Sequence, residues 1–360
     1  MDSFAFIIHP INPKRDVSRK YPNLGKYLSV GAINFLSRFW PPLNLSHITG
    51  ARSKSTGLEI EGWLIAVPYT SQRMLSLRPR EVYRKIIAAG QLAESLGAKI
   101  LGLGAYTSVV GDGGCTIARE LDIPVTSGDS YTAALSVSST ITAADQVGIK
   151  LSEATVAIVG ASGTIGSVVT QLLAPKVGQV LLVGRHIEQL ESVAERIHQV
   201  GQDDIVLSND VSDIRIADVV VTVTSSGGNL LAPDMLRAGA VVCDVSRPRD
   251  VSLQVAQQRD DVLVFDGGLV RVPGNVDFGF DYGPPPNLTY GCLAETMTLT
   301  FERQFVDYSV GKVVSLDRVK AIDAMATKHG FELAALRSFE RKLDDILIQK
   351  VRNARLGGGG

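Results

Sequence analysis

Val156-Ala157-Ile158-Val159-Gly160-Ala161-Ser162-Gly163-Thr164-Ile165-Gly166 is the stretch whose reading decides the fold. Val156 to Val159 suit a short strand buried on both faces. Gly160, Gly163 and Gly166 follow at spacings of three, and Ser167 to Ala174 carries a helical pattern. A strand, a glycine turn and a helix form the βα unit on which dinucleotides bind. The glycines let the chain turn sharply and approach a pyrophosphate, which the N–H groups of the helix N-terminus receive. The spacing is G-x-x-G-x-x-G rather than G-x-G-x-x-G, so the flanking strand and helix give the glycines their weight. The alternative is a βα turn in an α/β protein that binds no nucleotide.

Working outward, a second apolar strand, Val180 to Val183, ends in Gly184-Arg185-His186, with no acid before Glu188. NAD sites place Asp or Glu here to hold the ribose hydroxyls, whereas the planar fork of Arg185 pairs with a 2′-phosphate. The local reading therefore favours NADP(H). The alternative is a surface arginine at a helix start, where a cation gains nothing from the dipole. Strands predicted at 155–159, 180–183, 204–207, 219–223, 240–244 and 262–265 alternate with helices, which implies a doubly wound, mostly parallel sheet. Small and polar residues recur at the strand ends, in Thr224-Ser225-Ser226-Gly227-Gly228, Asp244-Val245-Ser246 and Asp266-Gly267-Gly268. Together they line one crevice, with Gly160, Ser162, Gly163, Thr164, Ile165, Gly166, Arg185, Thr224, Ser225, Val245 and Gly267 as the cofactor-binding residues.

Upstream, Phe4 to Ile8 reads as a strand, followed by Lys14, Arg15, Arg19 and Lys20, which form either a docking patch for an acidic partner or a solvated helix start. Residues 24–40 predict one amphipathic helix that stops at Pro41-Pro42. Leu58 to Pro68 predicts a strand and Arg78 to Leu96 a long helix capped by Gly97. Lys99 to Leu103 is a further buried strand. It opens into Gly104-Ala105-Tyr106-Thr107-Ser108, either a site wall at a strand C-terminus or a hydroxyl-rich loop that caps the next helix. Val125 to Ser130 repeats this pattern before a helix over 131–147. The expected organisation is α/β throughout. An N-terminal α/β substrate domain (1–130) precedes a Rossmann-type nucleotide domain (131–288). A helical segment (289–350) packs back across both, and a flexible tail (351–360) ends the chain. The Gly/Pro-rich loop Pro273 to Pro286, with Phe278, Phe280 and Tyr282, reads as an active-site cover or a crossing between domains.

The totals are those of an ordinary globular protein: 360 residues, 45% apolar and 20% charged, with a formal net charge of -1. That balance supplies no global basic field for nucleic acid. The three cysteines, Cys115, Cys243 and Cys292, are far apart and suggest neither a disulfide framework nor a metal site. No apolar run approaches the roughly 18 residues of a membrane span. A cytoplasmic protein is expected.

Cys292 lies in Thr289-Tyr290-Gly291-Cys292-Leu293-Ala294-Glu295, where an apolar helix opens. A first-turn cysteine feels the positive end of the helix dipole, which lowers its pKa and makes it a candidate nucleophile. The competing reading is a small buried hydrophobe. Cys115, at a glycine-rich helix start, shares the dipole argument. His329, before Gly330, reads as a cation that caps a helix C-terminus.

These motifs, taken in order, resemble the long-chain acyl-[acyl-carrier-protein] reductases, which are distantly similar to shikimate dehydrogenase and glutamyl-tRNA reductase. The resemblance runs from Phe4 to about Leu336. It rests on Arg15-Asp16-Val17-Ser18-Arg19, Gly104 to Ser108, Thr126-Ser127-Gly128-Asp129-Ser130-Tyr131-Thr132-Ala133 and Val159 to Gly166, with Gly267-Gly268, Cys292 to Glu295 and Lys328-His329-Gly330-Phe331. It implies that Cys292 is the catalytic cysteine and that its thiolate attacks an acyl thioester. NADPH then reduces the acyl-enzyme to an aldehyde. Tyr106, Thr107, Ser108 and Ser130 are the substrate-binding residues on this reading. An acyl carrier protein or CoA brings the substrate, and an aldehyde-consuming enzyme takes the product. The stretch Pro273 to Tyr290 departs from the family pattern. The alternative is a hydroxy-acid or amino-acid dehydrogenase of the shikimate-dehydrogenase type, whose N-terminal Lys and Asp motifs are not found here. A nucleotide-sensing protein without turnover is the non-enzyme reading.

Overall fold

The computed structural model describes residues 1–339 and 341–357. The chain forms two compact units. The first comprises Met1–Tyr131 and Val270–Glu332, and the second comprises Thr132–Leu269 and the chain from Leu333 onward.

The first unit is built on strands β1 (Asp2–Ile8), β2 (Leu43–Arg52), β3 (Glu59–Ala66), β4 (Leu101–Leu103) and β5 (Val125–Thr126). A further strand, Gly274–Asp277, pairs antiparallel to β2, and the sheet runs Gly274–Asp277, β2, β3, β1, β4, β5. Strand β1 is parallel to both β3 and β4, and β4 is parallel to β5. Its sequence is apolar on both faces because both are covered. On one face Val82, Ile86, Ala89 and Ala93 of helix Pro79–Ser95 join Ile7, Leu101 and Leu103 in a buried cluster. On the other lies helix Gly291–Phe301, which packs so closely that a Cβ on Gly102 would sit 2.2 Å from Thr296 Oγ1.

The second unit carries β6 (Thr155–Val159), β7 (Gln179–Val183), β8 (Ile205–Ser208), β9 (Val219–Thr222), β10 (Val241–Asp244) and β11 (Leu263–Asp266). All are parallel, in the order β11-β10-β9-β6-β7-β8. In chain order this is the 3-2-1-4-5-6 winding of a dinucleotide-binding fold. Its switch point lies between β6 and β9, where ligands gather at the strand C-termini. The predicted six-strand pattern and this sheet agree.

Elsewhere the structure departs from the sequence expectations. The helix expected over 24–40 is two short helices, Pro22–Tyr27 and Val30–Leu36, because Ser29 starts the second by accepting a hydrogen bond from Ala32 N at 3.1 Å. Strand β2 was not anticipated, since its inward and outward residues alternate irregularly. The Gly/Pro loop and the Cys292 helix belong to the first unit, not to the nucleotide domain or to a segment of their own. The region expected to be helical to 350 is instead helices Gly291–Phe301 and Leu316–His329, a hairpin at Arg337–Ser338 and Arg341–Lys342, and a helix from Asp345. That last helix runs through 351–357 of the expected tail. Within the second unit it buries Val351, and Arg355 reaches Asp218 at 2.9 Å. Residues 358–360 of that tail lie outside the described residues.

His329 is no capping cation. It is 1% exposed, with Nδ1 2.8 Å from Ser53 Oγ, Nε2 2.9 Å from Glu302 Oε1 and its ring stacked on Phe301. Burial lowers its pKa against the pull of Glu302, and Gly330, at φ +93°, closes the helix instead. Among the described residues no helix is long and apolar enough to cross a membrane.

Candidate active site

Two sites emerge, one in each unit. In the second unit the glycine turn is forced by contact. Gly160 has φ +85°, and a Cβ there would lie 2.5 Å from Val223 O. A Cβ on Gly166 would lie 2.2 Å from Gly160 O, so only glycine lets helix Thr164–Leu173 start this close to the turn. Gly163 is the N-cap of that ten-residue helix and brings no side chain to it. The result is a cradle of backbone around a helix N-terminus, the form a pyrophosphate requires. Thr164 and Ile165 form its first turn, and Ser162 Oγ faces Gly184 at the end of β7. Arg185 beside it is exposed. These residues fit an NADP(H) molecule.

The neighbouring strand ends are held by an acid that the sequence reading missed. Asp250 is fully buried and accepts hydrogen bonds from the hydroxyls of Thr222 (2.6 Å), Thr224 (2.7 Å), Ser226 (2.9 Å) and Ser246 (2.6 Å). The hydroxyl proton of Thr224 is therefore spent inward, while Ser225 beside it is exposed. Asp244 accepts from Ser246 N and Val251 N, and burial pushes its carboxyl up to about 7. Val245 and Gly267 meet over Cys243, since a Cβ on Gly267 would be 2.9 Å from Val245 Cγ2 and 2.7 Å from Cys243 Sγ. Cys243 is fully buried, and burial pushes its thiol up to about 12.

In the first unit Cys292 is the second residue of its helix and is partly exposed, while the helix beyond it is buried. It rests on Gly128. At φ +79° a Cβ on Gly128 would lie 2.2 Å from both Cys292 Cα and Cys292 Cβ. Glu295, one turn on and fully buried, locks the two segments together. Its carboxylate accepts from Thr126 Oγ1 and from Tyr131 N at 2.8 Å. Asp129, partly exposed, opens helix Asp129–Gln146 directly after Gly128. Phe278 and Tyr282 meet edge to face at 5.1 Å, Tyr282 and Tyr290 at 6.5 Å, and the Tyr282 hydroxyl donates to Thr289 Oγ1 at 2.8 Å. Within this unit the departing segment thus forms an aromatic run leading to Cys292.

The electrostatics reverse the expected direction for the thiol. The N–H groups of Cys292 and Leu293 pull its pKa down, as a helix start should. Burial and the charges of Asp129 and Glu295 outweigh them and push it up to about 12. Burial and Glu295 likewise push Asp129 up to about 8.

The hydroxyl residues read as a substrate wall are turned inward. Thr107 Oγ1 donates to Gly104 O and Ser108 Oγ to Ala105 O, each at 2.8 Å, so they close the turn that follows β4. Neither hydroxyl caps the helix Tyr106–Val109 that begins there, which has no side-chain cap; both bond back because a short turn offers unsatisfied carbonyls within reach. Ser130 is fully buried against Ser309. Tyr106 is buried, and its N–H donates to His9 Nε2 at 3.1 Å. Desolvation lowers the pKa of that histidine to about 4. In the basic stretch, Arg15 and Arg19 both bond Asp16 and Lys20 donates to Leu45 O, so much of the charge read as a docking patch is spent locally.

The profile of the shikimate / quinate 5-dehydrogenase family matches residues 142–266, the core of the second unit. The chain is 28% identical over 353 residues to a long-chain acyl-[acyl-carrier-protein] reductase of Synechococcus elongatus, covering 92% of this chain and 99% of that one. It is 31% identical over 311 residues to aminotransferase PigE of Serratia sp., covering 84% of this chain but only 35% of that protein's length. Among solved structures, L-tryptophan dehydrogenase from Nostoc punctiforme aligns over 99% of this chain and 89% of that one, at a TM-score of 0.42 and 12% identity.

Proposed function

We propose that the protein is an NADP(H)-dependent oxidoreductase that converts an acyl thioester, carried by an acyl carrier protein or CoA, to an aldehyde through an acyl-enzyme on Cys292. The observation that carries this reading is the seat of Cys292: partly exposed, at a helix N-terminus, against a glycine whose missing Cβ makes the room it occupies. A cysteine that merely fills space needs no such arrangement. The likeness to the Synechococcus reductase extends over nearly the whole of both chains and supports the same chemistry. The dehydrogenase family match, confined to the nucleotide unit, does not favour a hydroxy-acid substrate.

NADP(H), when bound, supplies the hydride. Gly160, Gly163 and Gly166 admit its pyrophosphate, and Arg185 meets the 2′-phosphate. In the first unit the aromatic run Phe278, Tyr282 and Tyr290 offers apolar surface to the acyl chain. The Cys292 sulfur attacks the carbonyl carbon. The N–H groups of Cys292 and Leu293, which pull the thiol's pKa down, receive the oxygen as it gains charge. An aldehyde-consuming enzyme fits as the downstream partner.

The test is NADPH oxidation at 340 nm with a long-chain acyl thioester, alongside chemical trapping of the product. Stoichiometric aldehyde, with loss of both signals in Cys292→Ala, supports the reading. NADPH binding with no aldehyde from any thioester contradicts it.

A further inference from the structure

The titratable groups around the Cys292 sulfur come from three elements: Asp129 at the start of its helix, Glu295 on the cysteine's own helix, and Tyr282 and Tyr290 from the segment before it. Two are already occupied. Glu295 accepts from Thr126 Oγ1 and Tyr131 N, and protonating it would loosen the Thr126–Tyr131 segment it holds. The Tyr282 hydroxyl donates to Thr289, and burial keeps its pKa well above the usual phenol value. Tyr290 packs edge to face on Tyr282.

Asp129 is placed differently. It follows Gly128, where a Cβ would lie 2.2 Å from both Cys292 Cα and Cys292 Cβ. It is partly exposed, as Cys292 is, whereas Glu295 is sealed. The neighbouring Ser127 hydroxyl donates to Ser309 O and accepts from Asp129 N at 3.4 Å, and a carboxylate offers about four lone-pair sites.

We propose that Asp129 is the proton acceptor and donor for Cys292 during acyl transfer. The inference rests on the reading of Cys292 as the nucleophile. The Asp129 carboxylate takes the thiol proton as the sulfur–carbon bond to the acyl group forms. When the bond from that carbon to the carrier sulfur breaks, the carrier thiolate takes the same proton and leaves as a thiol. The step ends with an acyl-enzyme thioester, a free carrier thiol and the carboxylate restored. No external acid, base or oxidant enters. Burial keeps the Cys292 thiol protonated at neutral pH, so its proton needs an acceptor as the sulfur attacks. A carboxyl near 8 is better matched to take up and release a proton at working pH than an ordinary aspartate.

The test needs no acyl substrate: iodoacetamide alkylation of Cys292 in the full chain from pH 6 to 10, read by peptide mass spectrometry to separate it from Cys115 and Cys243. The wild-type rate should rise through an inflection near pH 8. Asp129→Asn should react at least tenfold more slowly at pH 8 and lose that inflection, and Asp129→Glu should regain part of the rate. If Asp129 acts only as a nearby negative charge that disfavours the thiolate, Asp129→Asn will react faster, and the proposal falls. If Asp129→Asn slows alkylation while wild type forms no adduct with palmitoyl thioesters, the proton pair stands and the thioester substrate is wrong.

Discussion

Gly128 and Gly160 occupy equivalent places in their units. Each follows the C-terminal end of a parallel strand, each has φ near +80°, and each leads toward a helix. They differ in what stands where a Cβ would be. At Gly160 it is the backbone of Val223, just past the end of β9, and the turn so formed leaves its helix start to a ligand. At Gly128 it is Cys292, so the room is already taken by the residue proposed to do the chemistry. One turn is shaped to receive a molecule, the other to seat the cysteine proposed as the nucleophile.

The largest effect should come from filling these turns one at a time. Gly166→Ala puts a Cβ against Gly160 O and should weaken NADPH binding about 100-fold while leaving Cys292 alkylation within twofold of wild type. Gly128→Ala should do the reverse, slowing Cys292 alkylation about 100-fold with NADPH affinity nearly unchanged. Fluorescence titration of NADPH beside alkylation kinetics gives both numbers. If either substitution damages both activities equally, the two turns do not have separate tasks.

The units also titrate in opposite senses at their strand ends. His9, buried in the first unit, has its pKa lowered to about 4 by desolvation. Between that value and 6.5 the unfolded chain binds the extra proton, so the stability it supports is present above about pH 6.5 and is lost as pH falls toward 4. From pH 7 to pH 5 the loss is about 2 kcal/mol. Asp244, buried in the second unit, is raised to about 7, so protonation on acidification favours its folded state. Urea unfolding of wild type against His9→Gln at the two pH values isolates the histidine. A pH-independent difference between them would show that His9 is not buried neutral.

The smallest effect concerns the cofactor's ribose. Arg185→Ala should raise the Kd for NADPH about tenfold and leave that for NADH unchanged, as expected for one charge-assisted fork on a phosphate. Equal losses for both would place Arg185 elsewhere than on the 2′-phosphate.

The nucleotide unit was legible because its signals are local. Apolar runs of four or five residues, a glycine turn and small residues at strand ends all fall within short windows, and the winding follows from the order of the strands. The cysteine site was legible only by its residues. Cys292, Glu295 and the 126–133 segment stand out in the sequence, but Gly128 meets Cys292 through the tertiary fold, and no spacing rule reaches that far. The same distance hid the Glu295 lock and the hydroxyls gathered on Asp250. The thiol's pKa was misjudged for a related reason. The helix dipole can be read from position, whereas the burial that outweighs it depends on what the chain folds around the sulfur. Thr107 and Ser108 show the limit from the other side, since residue type alone cannot tell a hydroxyl that faces a ligand from one that closes its own turn.

The measurement that tests the central claim most directly is the intact mass of the full chain after incubation with a palmitoyl thioester without NADPH, run beside Cys292→Ala. The account predicts a gain of one palmitoyl group on the wild type, none on the variant, and discharge of the adduct as palmitaldehyde when NADPH is added. An adduct that persists on the variant, or no adduct on a wild-type protein that binds NADPH normally, would contradict it.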